Sequence, residues 1–417
     1  MKKLFAMALA LSSLLLVVSC SEEEPDIIVI EEPVGNEVIS GLISEDLSLS
    51  ADKIYELAGR VIVTNGATLS IEAGTIIKGQ AGEGTNASVL MIARDGKIEA
   101  VGNASNPIIF TSIDDNIQIG QTSGSNLSAT DRQLWGGLVL LGNAPISVEA
   151  GTSAQIEGVP ASEALGQYGG DNDNDNRGTL KYVSIRHGGT TIDAVKGNDI
   201  NGLTLAGVGS GTSIENIEIF ANFDDGIEFF GGSVSIKNAL VYTVGDDAID
   251  IDQAYSGTVD NFWVFTSTAA GSDEGLEIDG PEGPENSEGR FTLINGTITS
   301  VDGGGSAADF KSKPQGTVTN VKWAGFSGAT LKFRQSYADE TDCATKTDAQ
   351  SNLIDDVLTF TTVEFGSVSI YANSEVCAVS AADQAAAEAK VTSEAATGAG
   401  DATIWAGWTA FDGAGLL

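Results

Sequence analysis

The chain is poor in the residues that most site chemistry draws on. Its 417 residues include one histidine, His187, and three cysteines. A multi-histidine metal centre is therefore excluded, and so is a structural zinc cluster of Cys and His ligands. Positive charge is scarce too: 21 Lys and Arg face 58 Asp and Glu, a formal net charge of −37. Phosphate backbones and anionic lipid both need clustered Lys and Arg, so nucleic acid is excluded as a partner and so is docking through a basic patch. Proline numbers only 8 and aromatic residues make up 6%. Helical periodicity is missing until an Ala-rich stretch at 380–396, expected to be a helix. No Gly-rich phosphate loop ending in Lys-Ser or Lys-Thr occurs.

Glycine is what the chain has in quantity, 51 residues, beside 42% hydrophobic residues, a globular composition. From about residue 44, short runs rich in Val, Ile, Thr and Phe alternate with Gly, Asn and Asp. Examples are Arg60–Val63, Thr75–Lys78, Val89–Ile92 and Pro107–Thr111. Such strands suit a sandwich, a barrel or a solenoid, and an internal repeat decides among them. Asp224–Phe230, Asp246–Asp252 and Asp273–Asp279 align without gaps, at spacings of 22 and 27. Ala308–Lys311 and Leu331–Arg334 are weaker copies. A period near 22 that tolerates insertions predicts an all-β, right-handed parallel β-helix, each coil stacked about 4.8 Å above the last. Ile227/Phe229, Ile249/Ile251, Leu276/Ile278, Phe310 and Phe333 then point inward. Glu228, Asp250, Glu277, Asp309 and Lys332 fall in one outward column, and Phe230, Asp252, Asp279, Lys311 and Arg334 in the next.

Gly66–Lys78, Gly96–Ala100, Asn106–Ser112, Trp135–Gly142 and Leu180–Gly189 resemble the opening coils of Bacteroidota parallel β-helix lipoproteins. The resemblance covers roughly residues 44–370. It implies fold more than activity, and it implies a setting beside outer-membrane nutrient uptake, with a transporter as possible partner. The N-terminus agrees. Lys2 and Lys3 precede an apolar run, Leu4–Val18, too short to span a membrane and suited to a signal-peptide core. Ser19-Cys20 at its end resembles a bacterial lipobox, which implies acylation of Cys20 and a lipid anchor. Ser21-Glu22-Glu23-Glu24 resembles the acidic signal that sends such lipoproteins to the cell surface. The expected organisation is a signal peptide at 1–19, an acidic tether at 20–43, the β-helix at 44–370 and a C-terminal cap region at 371–417. Trp405 and Trp408 are expected to cap the solenoid end. Cys343 and Cys377, 34 apart in an exported chain, are expected to form a disulfide contributing roughly 3–4 kcal/mol; the alternative is two buried thiols.

Stacked carboxylates repel, at about 3 kcal/mol per adjacent pair for an effective dielectric near 20. A cation, a raised pKa or solvation relieves this. The first remedy makes Asp224, Asp225, Glu228, Asp246, Asp247, Asp250, Asp252, Asp273, Glu274, Glu277 and Asp279 candidate ligands for Ca²⁺, which takes hard oxygen donors. The third makes them a solvated face, with acids beside Gly or Ala capping turns. Asp171, Asp173 and Asp175 alternate as in the first half of a calcium loop, but Asn176 and Tyr182 stand where an EF-hand needs Gly and Glu. Phe230, Tyr255, Trp263 and Trp323 are candidates to stack on sugar rings.

Gly245–Ile249 resembles the Asp-Asp strand of polygalacturonases, but the Gly-His-Gly and Arg-Ile-Lys of that family are missing. Lys311-Ser312 resembles part of an alginate-lyase motif whose histidine is absent here. Three readings stay open. The first is a surface lipoprotein that binds a polysaccharide or other extracellular ligand on the β-helix face, assisted by Ca²⁺. The second is a calcium-dependent polysaccharide lyase with Lys311, Lys332 or Arg334 as base. The third is an adhesion scaffold. His187 reads as a turn residue rather than a catalyst.

Overall fold

The computed structural model describes residues 36–159, 163–191, 199–328 and 330–417. Cys20, the apolar run before it and most of the expected tether lie outside the described residues. Among the described residues no helix is long and apolar enough to cross a membrane.

Val-, Ile- and Phe-rich segments form short strands, each paired in parallel with the strands one coil above and below. Three stacks result, and the architecture is a parallel β-helix. The first stack includes Leu203–Ala206, Ile227–Phe230, Ile249–Asp252, Glu277–Ile278, Ala308–Phe310, Thr330–Gln335 and Ser367–Ala372. The other two are the halves of longer strands such as Ser213–Phe220, Ser235–Tyr242 and Thr258–Thr266. Five of the long strands bend at an asparagine in the left-handed region: Asn216, Asn238, Asn261, Asn295 and Asn320, at φ 59°, 61°, 61°, 58° and 52°; Tyr182 and Thr362 do so in Gly178–Arg186 and Leu358–Glu364. Asn enters this region at little cost because its short polar side chain bonds locally.

These asparagines also bond to one another. Asn238 Nδ2 donates to Asn216 Oδ1 at 2.8 Å, Asn261 to Asn238 at 2.7 Å and Asn320 to Asn295 at 2.8 Å. Asn261→Ala removes a rung and leaves a β-carbon residue strained at positive φ, so it is expected to cost about 2 kcal/mol. The urea midpoint reads this directly; an unchanged midpoint would show that the ladder is energetically idle.

Alternation fills the interior as expected. Phe229, Ile251, Ile278, Phe310 and Phe333 stand in register and are fully buried. The Phe310 and Phe333 rings stack at 5.0 Å. Helices Ala349–Ile354 and Ala381–Glu388 close the C-terminal end, the latter begun by Ser380, whose side chain accepts from the Asp383 N–H. Cys343 and Cys377 form the expected disulfide, with Cα atoms 5.5 Å apart.

Trp405 and Trp408 do not cap the end. Residues 397–413 run back along the outside of the third stack. Ala399 N–H donates to Thr297 Oγ1, Gly400 N–H to Asn261 Oδ1, and Ala410 and Phe411 N–H to Glu218. The reason is an outward apolar stripe, Leu240, Tyr242, Trp263 and Phe265, which needs cover; Trp405, Trp408 and Phe411 supply it.

Candidate functional site

The registers put Glu228, Asp250, Glu277, Asp309 and Lys332 in one outward column on the first stack. Phe230 and Asp252 are partners in the adjacent column. The turns just before these strands supply the remaining acids. Asp224, Asp246 and Asp273 sit toward the rim, whereas Asp225, Asp247 and Glu274 are buried.

Much of the buried row has a structural task. Asp225 Oδ1 accepts the Asp247 N–H at 2.9 Å, and Asp247 Oδ1 accepts the Glu274 N–H at 2.7 Å. Each acid thus satisfies a backbone donor in the next coil. The second oxygen of each remains for other work.

The face divides electrostatically. At the C-terminal end Lys311, Lys332 and Arg334 are each paired. Lys311 bonds Glu277. Lys332 Nζ lies 2.7 Å from Glu274 and 3.5 Å from Asp309. Arg334 Nε lies 3.0 Å from Asp348. Burial lowers both ammonium groups, but the hydrogen bonds and charges of Glu277 and Glu274 outweigh it, so both pKa values end above the ordinary lysine value. Tyr371 donates to Asp309 at 3.0 Å.

At the other end, Asp224, Asp225, Glu228, Asp246, Asp247, Asp250 and Asp252 form no ion pair among the described residues. Burial first, then mutual repulsion, pushes Asp225, Glu228, Asp247, Asp250 and Asp252 well above the usual carboxylate range. The same causes raise Asp224 to about 7 and Asp246 to about 6. Three sets bring carboxylate oxygens within 4.8 Å of one another: Asp224/Asp225/Asp246, Asp225/Glu228/Asp250 and Asp247/Asp250/Glu277. With Ca–O distances of about 2.3–2.6 Å, ligands on opposite sides of one ion lie up to roughly 5 Å apart, so the spacing fits. One oxygen of Asp250 is buried without a hydrogen-bond partner.

Several members were invisible in the repeat. Glu157 reaches the cluster from a loop outside the coils; burial, then Asp224, raises it to about 8. Asn201, 1% exposed, donates to Glu228, and its own Oδ1 is unpartnered. The segment carrying Ile146 and Tyr168 walls one side, tied to the neighbouring loop by Ser147 Oγ to Gly283 O at 3.0 Å and Asn286 Nδ2 to Ile146 O at 3.1 Å. No spacing rule links these to the acids.

Other sequence-predicted residues are not brought to this face. Phe230 points outward but is covered by Tyr168, ring centres 5.9 Å apart. Tyr255 is a core residue, packed at a tilt against Phe229 with ring centres 4.3 Å apart, its hydroxyl donating to Val234 O. Trp263 lies on the third stack against the C-terminal segment, and Trp323 is buried with its indole N–H on Ala307 O. None is free to stack on a sugar at the acidic face. Asp171 and Asp173 stay exposed and apart from the cluster. Asp175 is buried against Arg177 at 3.0 Å, so its charge is already balanced. Asp279 accepts the Ser312 N–H.

A family model described as a pectate-lyase-like β-helix domain matches residues 41–411. No curated protein and no solved structure matches the chain.

Proposed function

The chain belongs to the pectate-lyase-like β-helix domain family, and from that premise we propose that it is a cation-assisted glycan-binding protein. The N-terminal half of the acidic face holds divalent metal, Ca²⁺ by its all-oxygen donor set, and the surface beside it takes an extracellular polysaccharide. We place the protein on a lipid anchor at Cys20, in the outer membrane and facing outward, beside a nutrient transporter. The observation that carries the reading is the uneven distribution of counter-charge. Lys311, Lys332 and Arg334 neutralise one end of the acidic columns, while Glu228, Asp250 and their neighbours converge without a cation of their own. Asp224, Asp225, Glu228, Asp246 and Asp250 would hold the ion, which would supply positive charge for a uronate or a chelating diol.

A lyase is the second reading, favoured by the juxtaposition of basic side chains with the acidic columns. Its chemistry needs a deprotonated base near the operating pH. Ion pairing moves Lys311 and Lys332 the other way, and Arg334 is likewise raised: burial lowers it, but Asp348 outweighs that.

Calorimetric titration of metal-stripped protein with Ca²⁺ tests the first reading. At least one site is expected, lost on Asp250→Asn. Polysaccharide retention on a glycan array should then require Ca²⁺ and vanish in EDTA. Absence of any Ca²⁺ binding sinks the proposal. Release of unsaturated uronate products, followed by ultraviolet absorbance, would promote the lyase, and Lys332→Met is expected to leave Ca²⁺ binding intact in either case.

A further inference from the structure

A second site lies on another stack, away from the acidic face. Arg186, Phe220, Tyr242 and Phe265 occupy one register column on the outside of the third stack. The C-terminal segment covers only part of it: Phe411 sits against Tyr242 at 5.2 Å and Phe265 at 4.9 Å. Between this segment and the loop at 123–129 a cavity of about 370 Å³ remains. That is within the usual range for small-molecule pockets, about 300–1,000 Å³.

The floor of the cavity is the Phe220–Tyr242 pair, parallel rings 5.3 Å apart. His187 stands at the side, edge-on to Phe220 at 5.8 Å and 4% exposed. Its backbone φ of 60° turns the ring out of the strand. The tautomer follows from the partner: His187 Nδ1 lies 2.6 Å from Asp131 O, a carbonyl that can only accept, so Nδ1 carries the proton. Burial lowers the imidazole pKa, which keeps the ring neutral and leaves Nε2 as a bare acceptor. No partner for Nε2, or for the Tyr242 hydroxyl, exists among the described residues. The guanidinium of Arg186, in contrast, donates to Ser184 Oγ, Thr122 O and Trp408 O, and its charge is balanced by Glu218 at 3.8 Å. Asp115 is also spoken for, by Thr111 and the Ile117 N–H.

We propose that this cavity binds one neutral sugar ring, a site independent of the metal-bearing face. The apolar edges of the stacked Phe220 and Tyr242 rings match the C–H groups of a pyranose. An unused acceptor and an unused hydroxyl beside it match ring hydroxyls. The neutralised Arg186 and the acid at its rim give no reason to take an anion. A purely apolar ligand would strand His187 Nε2 and the Tyr242 hydroxyl without water, at the cost of burying two unsatisfied polar groups.

The test uses the full chain in EDTA, so that the acidic face is metal-free, and a panel of neutral methyl hexosides followed by saturation-transfer NMR and calorimetry. At least one hexoside should bind saturably, with a dissociation constant in the millimolar range. Tyr242→Phe keeps the ring stack and removes only the hydroxyl; it should weaken that binding about tenfold. Ala129→Leu, which fills the cavity from its rim, should abolish binding while the circular dichroism spectrum stays native. The proposal is overturned if no hexoside binds the wild-type protein, if Tyr242→Phe and Ala129→Leu both bind as wild type does, or if binding appears only when Ca²⁺ is restored. The last result would assign the sugar to the acidic face instead.

Discussion

Metal-free protein is expected to melt about 5 °C lower at roughly pH 8 than at roughly pH 5, and saturating Ca²⁺ should recover that loss at the higher pH only. The direction follows from burial, then repulsion among neighbours, which raises Glu157 from 4.5 to about 8, Asp224 from 3.8 to about 7 and Asp246 from 3.8 to about 6. A carboxyl whose folded pKa lies above its unfolded value holds its proton more tightly in the native state. Its stabilisation is complete below the unfolded value, near pH 4, and is lost as pH climbs through the folded one, between about 6 and 8. Ca²⁺ competes with those protons, so its benefit grows as they leave. Differential scanning calorimetry at the two pH values, with and without metal, decides. A melting temperature flat in pH and indifferent to Ca²⁺ would mean that water alone solvates the cluster.

Glu218→Gln is the second variant with a large expected effect, a loss of about 3 kcal/mol or more. Glu218 is fully buried, and its two carboxylate oxygens accept the N–H groups of Ala410 and Phe411, each at 2.8 Å. Ser184 Oγ donates to it as well, and Arg186, 2% exposed, lies 3.8 Å away. Neutralising the acid leaves the guanidinium buried without its counter-charge and weakens the dock of the C-terminal segment. Denaturant titration should show the loss, and limited proteolysis should cut near 389–400 while the coils survive. Combining it with Arg186→Met should recover part of the stability, because the unbalanced charge goes with it. A single variant within about 0.5 kcal/mol of wild type would show that the strap is held by its tryptophans alone.

The repeat was legible because strand alternation and parallel stacking both act over short sequence distances. Matching Ile227/Phe229 to Ile249/Ile251 was enough to place Glu228 above Asp250. The asparagine ladder has a signal of the same kind, an Asn at one position in five successive long strands from Ser213–Phe220 to Gly316–Ala324. Phe230 shows where such reading stops. Alternation turns it outward, correctly, but only a loop from earlier in the chain decides that it is covered. Glu157 and Asn201 join the acids through the same kind of distant packing, which no local pattern encodes. The place of Trp405 and Trp408 is not legible locally, because their partners, Leu240 and Trp263, lie far away in sequence.

The bend asparagines give the family of coils a fixed reference line. Hydrogen bonds join residues 22, 23 and 25 apart along it, and across the longer coil from Asn261 to Asn295 strand register keeps the bends aligned while Asn295 donates to Asp260, so coil length varies while the bend does not move. The extra residues emerge at the corners bordering the acidic face, as in the loops at 267–273 and 279–290. Growth is therefore confined to the rim of that face. Such a scaffold can exchange what it recognises by lengthening or shortening those loops, with the interior stack left as it is, and recognition can diverge faster than architecture.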